Sequence, residues 1–177
     1  KLSGTGKFVI HNPGDHIFYN RVANSPTYLD ANGNAKGISV NFEIRNGNNL
    51  ILRNLKLNGL VDYSSNNLHL HGNLDLATTG ASVTLEGNQL FLSKQSQILN
   101  YSSKNMIVTG NNINSQLVKT IGANETFVYP IGISENDYTP AILSPEKEAT
   151  LFVSVEDYSI SKAKLKLQNI GMDRIWY

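Results

Sequence analysis

The chain has no cysteine, little charge and no long apolar run, and each absence removes a class of answer. Without cysteine among its 177 residues, neither a disulfide framework nor a thiolate metal site is open to it. Charged residues make up 16% of the sequence and leave a formal net charge of +1, which gives nucleic acid or an anionic membrane surface little to hold. No stretch of eighteen apolar residues occurs, so insertion of a helix into a membrane is not expected. A Gly-x-Ser-x-Gly nucleophile elbow is missing too. The chain opens at Lys1 with no initiator methionine and no signal peptide, and it reads as a piece of something longer.

What is present is repetition. The stretch Leu60 to Asn73, LVDYSSNNLHLHGN, returns as ILNYSSKNMIVTGN from Ile98 to Asn111, at a constant offset of 38 (63 to 101). Apolar residues answer apolar ones across the two copies: Leu60 and Ile98, Val61 and Leu99, Leu68 and Met106, Leu70 and Val108. Between the copies, SVTLEGNQLFL (82–92) has the same texture, and NLILRNLKL (49–57) has it one step earlier. Alternate residues are apolar (Leu68, Leu70, Leu74, Leu76, Val83, Leu85, Leu90, Leu92), the strand period of two. This much Gly and Asn would not sit in a helix. The expected architecture is all-β: a parallel β-solenoid, or β-helix, with two rungs of roughly 19 residues in each 38-residue repeat.

Asparagine stands beside glycine at 33/34, 46/47, 47/48, 58/59, 72/73, 87/88 and 110/111, where a left-handed backbone would close corners between strands. Asn49, Asn67 and Asn105, at matching places of successive rungs, would hydrogen-bond along the stack as a ladder, unless they are ordinary turn residues. The first part, to about Asn46, is less regular, with short strands around Pro13-Gly14 and an alternating run from Gly37 to Arg45. The solenoid region is expected over 1–118. From Lys119 the Asn-Gly rhythm fades, and prolines at 130, 140 and 145 separate longer alternating runs, including 149–155, 163–167 and 174–177. Residues 119–177 are therefore expected to form antiparallel strands of an incomplete β-sandwich, with Trp176 pointing to a core that continues.

Few residues offer chemistry. Asp30, Asn32 and Asn34 alternate as in a calcium loop, but Gly33 falls at the wrong place and Asn41 stands where a bidentate Glu is needed. His69 and His71 share a face without a third ligand, so no metal is expected. The repeat region holds three acids, Asp62, Asp75 and Glu86, scattered over different rungs, and Asp62 is Asn100 in the second copy. Polysaccharide cleavage needs paired carboxylates, or a base beside acidic metal ligands. No catalytic residue and no cofactor is assigned. Tyr63 and Tyr101, at the same place in the two copies, are the candidate ligand-binding residues, as aromatics that take a sugar face or else pack a corner.

Phe127-x-Tyr129-Pro130-Ile131-Gly132, followed by Tyr138-Thr139-Pro140 and later Arg174-x-Trp176, resembles the junction in large adhesin-like surface proteins of Bacteroidetes, cargo of the type IX secretion system. The resemblance covers about the last third of the chain and lacks the C-terminal sorting domain of such cargo. It implies a secreted, cell-surface location, with a repeat region leading into a β-sandwich. The expected role is non-catalytic: a structural spacer, or an adhesin-like binding or assembly unit of a larger protein. Its partners would be a glycan or another surface protein, neighbouring domains, or further copies of itself through uncapped ends. The alternative is a β-helical polysaccharide lyase or glycoside hydrolase.

Overall fold

A computed structural model describes residues 5–18, 40–53, 56–57, 61–62, 67–159 and 174–177. Twenty short strands and no helix occur among them. In chain order they are β1 (Lys7–Ile10), β2 (His16–Phe18), β3 (Asn41–Ile44), β4 (Asn49–Leu52), β5 (Lys56–Leu57), β6 (Val61–Asp62), β7 (Leu68–Leu70), β8 (Leu74–Leu76), β9 (Ser82–Thr84) and β10 (Gln89–Leu92). There follow β11 (Ile98–Leu99), β12 (Met106–Val108), β13 (Gln116–Ile121), β14 (Phe127–Tyr129), β15 (Ile131–Ser134), β16 (Asp137–Tyr138), β17 (Ala141–Leu143), β18 (Ala149–Val153), β19 (Val155–Asp157) and β20 (Arg174–Trp176).

Three sheets take most of these strands, in the orders β1-β3-β8-β11, β16-β15-β12-β9-β4-β2 and β18-β13-β10-β7. We call them the first, second and third sheet. Every pairing within them is parallel except for β16 on β15 and β18 on β13. From β7 to β13 the chain visits third, first, second, third, first, second and third sheet in turn. One circuit therefore contains three strands, and its return is 24 residues in the first and second sheets (74 to 98, 83 to 107). The third sheet returns after 22 residues and then 27 (68 to 90, 90 to 117). The return from Phe42 to Leu74 is longer, 32 residues, because it carries the β5–β6 hairpin.

The 19-residue rung and the 38-residue repeat are corrected by this register. Leu68 lies in the third sheet, while its sequence match Met106 lies in the second. Several corners draw on the same chemistry, a Gly-Asn step between two alternating apolar runs, whereas the turns at 93–97 and 100–105 contain no glycine. LHLHGNLDL joins third to first sheet, whereas SVTLEGNQLFL joins second to third. The likeness thus marks corners and not circuits. Positive φ closes Asn46-Gly47, Gly87 and Gly110-Asn111 as expected. Gly72 works differently: a Cβ there would lie 2.3 Å from the carbonyl oxygen of Val40, so glycine is needed for close approach of two backbones. The pairs at 33/34 and 58/59 lie outside the described residues.

Register turns the period-two pattern into continuous apolar rows. Leu68, Leu90, Leu117 and Val153 are neighbours across the third sheet; Leu50, Val83, Ile107 and Ile131 across the second; Phe42, Leu74 and Ile98 across the first. All are buried in one cluster that extends through Phe127, Tyr129 and Val155. A single circuit has no second layer of its own, so it buries this face only against its neighbours. Asparagines tie the circuits together. The buried Asn88 side chain donates to Leu52 O at 2.7 Å and Asn105 to Leu76 O at 3.1 Å, while Asn67 Oδ1 accepts from Gln89 N at 2.8 Å. Asn49, Asn67 and Asn105 do not form one ladder, because Asn49 lies in the second sheet and Asn67 beside the third.

Beyond residue 118 the antiparallel pairing expected from the sequence is present, in β13–β18, β14–β17, β15–β16 and β19–β20. Two of these pairs lie on the last parallel strands of the second and third sheets and end them.

Candidate interaction surface

With the leucine rows inside, the outward residues give each sheet a different face. On the first sheet Glu43, Asp75 and Leu99 form one row. Glu43 is only 2% exposed because Lys7 and Arg45 both close on its carboxylate. Those two bonds, Lys7 first, hold its carboxyl below the usual range against the opposing effect of burial. Its in-register neighbour Asp75 accepts a 2.7 Å bond from Asn100. This face is charged and internally paired.

The outward side of the second sheet is covered near its C-terminal end. Thr109 Oγ1 donates to Val155 O at 3.1 Å, Asn111 Oδ1 accepts from Asp157 N at 2.6 Å, and the outward-facing Met106 and Val108 are buried. Arg174 reaches both Asp137 and Asp157, and the Trp176 indole donates to Thr139 O at 3.2 Å. The phrases around Tyr138-Thr139-Pro140 and Arg174-x-Trp176, distant in sequence, therefore meet as one junction.

The third sheet carries uncharged rows. Asn67, Gln89 and Gln116 form an amide chain, with bonds of 3.3 Å (Asn67 to Gln89) and 2.6 Å (Gln89 to Gln116). Beside it, His69 stacks on Phe91, centroids 4.1 Å apart and planes 5° from parallel; Phe91 meets Phe152 edge to face at 6.2 Å. Phe152 lies opposite Val118 and is 46% exposed, while Val118 is buried beneath the aromatics. Burial, with His71 adding a smaller effect, pushes the His69 imidazole down to about 4, so it is neutral at physiological pH. The next row is the Thr120–Thr150 hydroxyl pair, 2.9 Å apart.

The residues singled out from the sequence are dispersed. Tyr101 is exposed and follows β11 of the first sheet, close enough to Tyr138 to perturb it. Tyr63 lies outside the described residues. Glu86, at φ 42°, is held by Arg53 through bonds of 2.6 and 2.7 Å. The side chain of Asp62 and the segment Asp30 to Asn34 lie outside the described residues. Among the described residues no group of three His, Cys, Asp or Glu converges on a metal position, and no helix is long and apolar enough to cross a membrane.

One buried cation escaped sequence reasoning. Lys119 occupies the inward row of Leu92 and Leu70. Its ammonium donates to the carbonyls of Ser93, Lys94 and Ser96 at 2.7, 2.7 and 2.8 Å and lies 5.3 Å from the Phe127 ring centroid. Three donors meet three acceptors, which satisfies the ion where a leucine would leave two or more carbonyls bare. Burial pushes its pKa down to about 8, with Glu125 opposing. The aromatic row was also missed, although alternation between Leu90 and Leu92 already turns Phe91 outward.

Compared with protein-family models, curated proteins and solved structures, the chain has no match in any of the three.

Proposed function

We propose that the chain is a parallel β-solenoid of three-strand circuits, ended by antiparallel strands, which serves as a non-catalytic module of a secreted, adhesin-like surface protein. It acts as a stiff spacer that presents a binding face, in the manner of the Bacteroidetes type IX cargo that its last third resembles. The observation that carries this reading is the in-register succession of the three sheets from β7 to β13, one buried row continuing into the next. Such stacks yield long, regular outer surfaces whose residues vary without cost to the core. The acids Asp75 and Glu86 support it further, since each is engaged by an outward-facing neighbour, Asn100 or Arg53, on a different sheet.

One observation favours the polysaccharide lyase or hydrolase. Glu43 and Asp75 are in-register neighbours on one face, and adjacent parallel strands lie about 4.8 Å apart, near the carboxylate spacing of retaining glycosidases. Glu43, ionised between two cations, would have to be the nucleophile and Asp75 the acid. A screen of the purified chain against acidic and neutral polysaccharides, with and without calcium, separates the readings. Retention without new chain ends is expected; chain cleavage that disappears in Glu43→Gln would replace the adhesive module with the enzyme.

A further inference from the structure

We propose that the outer face of the third sheet binds a neutral polysaccharide laid across strands β10, β13 and β18, with Phe91 and Phe152 against the sugar rings and Gln89, Gln116, Thr120 and Thr150 bonding its hydroxyls. The proposal rests on the reading of the chain as an adhesive module and names what that module holds.

Charge complementarity selects the partner. The outward residues of β7, β10, β13 and β18 include no Asp, Glu, Lys or Arg, and the Lys94–Glu148 pair at the rim of β10 and β18 neutralises itself, whereas the first sheet sets Lys7, Glu43, Arg45 and Asp75 on or beside its outer row. The one cation of β13, Lys119, is turned inward and saturated. An anionic polymer would find only the Lys94 ammonium at the rim, already engaged by Glu148, so salt-dependent anchoring has little to act on. An uncharged polymer rich in hydroxyls finds its complement there.

The polar groups are arranged for such a polymer. In the amide chain Gln89 spends one amide hydrogen on Gln116 and keeps the other, and the Gln116 amide nitrogen has no acceptor of its own among the described residues. Donors thus recur at the strand spacing of about 4.8 Å, close to the length of one pyranose unit. The three strands β10, β13 and β18 span about 10 Å, enough for two to three units. Between the amide row and the threonine pair the surface is apolar. Phe152 is 46% exposed and braced edge-on by Phe91, so it offers a fixed aromatic surface to the C–H side of a ring with little ordering cost.

The test is affinity electrophoresis of the full chain in gels containing hydroxyethyl cellulose, xylan or glucomannan, with alginate as the anionic comparison. Retardation is expected in at least one neutral gel and should persist at about 0.5 M salt, where surface charge is screened. Phe152→Ala should weaken retardation tenfold or more and Gln116→Ala about threefold, while Tyr101→Ala leaves it unchanged. Thermal melts of each variant establish folding, and Gln116→Ala, on the surface, serves if Phe152→Ala does not fold. Retardation lost in Tyr101→Ala but kept in both third-sheet variants would overturn the proposed face while sparing the adhesive reading. Binding to alginate alone, abolished by salt, or no binding to any neutral polymer, would overturn it too and leave a spacer. Release of new chain ends would sink the non-catalytic reading itself.

Discussion

The circuits between Leu68 and Ile121 and the strands after Phe127 share one buried cluster but are held in different ways. In the circuits, cohesion comes from leucine rows and from asparagine amides that clasp the neighbouring backbone, groups without a charge to lose. Among the C-terminal strands it comes from ions: Arg174 between Asp137 and Asp157, and Glu148 with Lys94. A repeating interface has to suit every copy of itself, which favours neutral, periodic contacts. A terminus is made once, and paired charges can specify it. The expected consequence is an end that opens with pH while the circuits stand.

The largest effect belongs to the circuits. Leu90 is fully buried between Leu68 and Leu117, so Leu90→Ala leaves a void in the middle of a row and should cost about 3 kcal/mol in urea unfolding. A cost below about 1 kcal/mol would mean that the row tolerates a gap and that the circuits are less tightly coupled than their register implies.

Next comes the junction. The Asp137 carboxyl is raised by burial, but the bonds from Arg174 and Thr139 outweigh that and hold it below the usual range. Asp157 is lowered by the Ser159 hydroxyl and backbone N–H, with Arg174 adding to this. Both folded values thus lie below the unfolded carboxyl range of about 3.9, so their contribution is complete above that range and is lost as pH falls through the lowered values. Trp176 is the only tryptophan and reports on β20 directly. Its emission should shift to the red below about pH 4 before the far-ultraviolet β signal declines. In Arg174→Met, with about 1 kcal/mol less holding the strand, the shift should already be present at pH 7. Simultaneous loss of both signals in the two proteins would show that the end and the circuits unfold as one.

Legibility followed the same division. Strand character and inward residues were readable wherever alternation ran through Leu68 to Leu92, because a period of two has one meaning on a half-buried strand. The circuit length was not, since the third-to-first corner at Gly72-Asn73 resembles the second-to-third corners at Gly87-Asn88 and Gly110-Asn111. Sequence likeness reports local geometry, and the return of the chain to a given sheet depends on which corners follow each other. The uncharged third-sheet face was legible only after Gln89 met Gln116 and Phe91 met Phe152, neighbours that strand pairing creates from residues 27 and 61 positions apart.

The smallest expected effect is a slope, and it shows how far ions intrude on the neutral circuits. Lys119 takes a leucine's place in the inward row, and burial lowers its folded pKa to about 8 against an unfolded value near 10.4. Between those values the unfolded chain binds the extra proton, so stability rises with pH across that window and is flat with respect to this group on either side. The three carbonyls oppose burial by favouring the charged form, which keeps the slope shallow. Urea midpoints measured from pH 7 to 10.5 for the native chain and for Lys119→Met, taken as a difference, should diverge in favour of the native chain as pH rises. Parallel curves would mean that the carbonyls fully balance burial, making this ion as indifferent to pH as the leucines beside it.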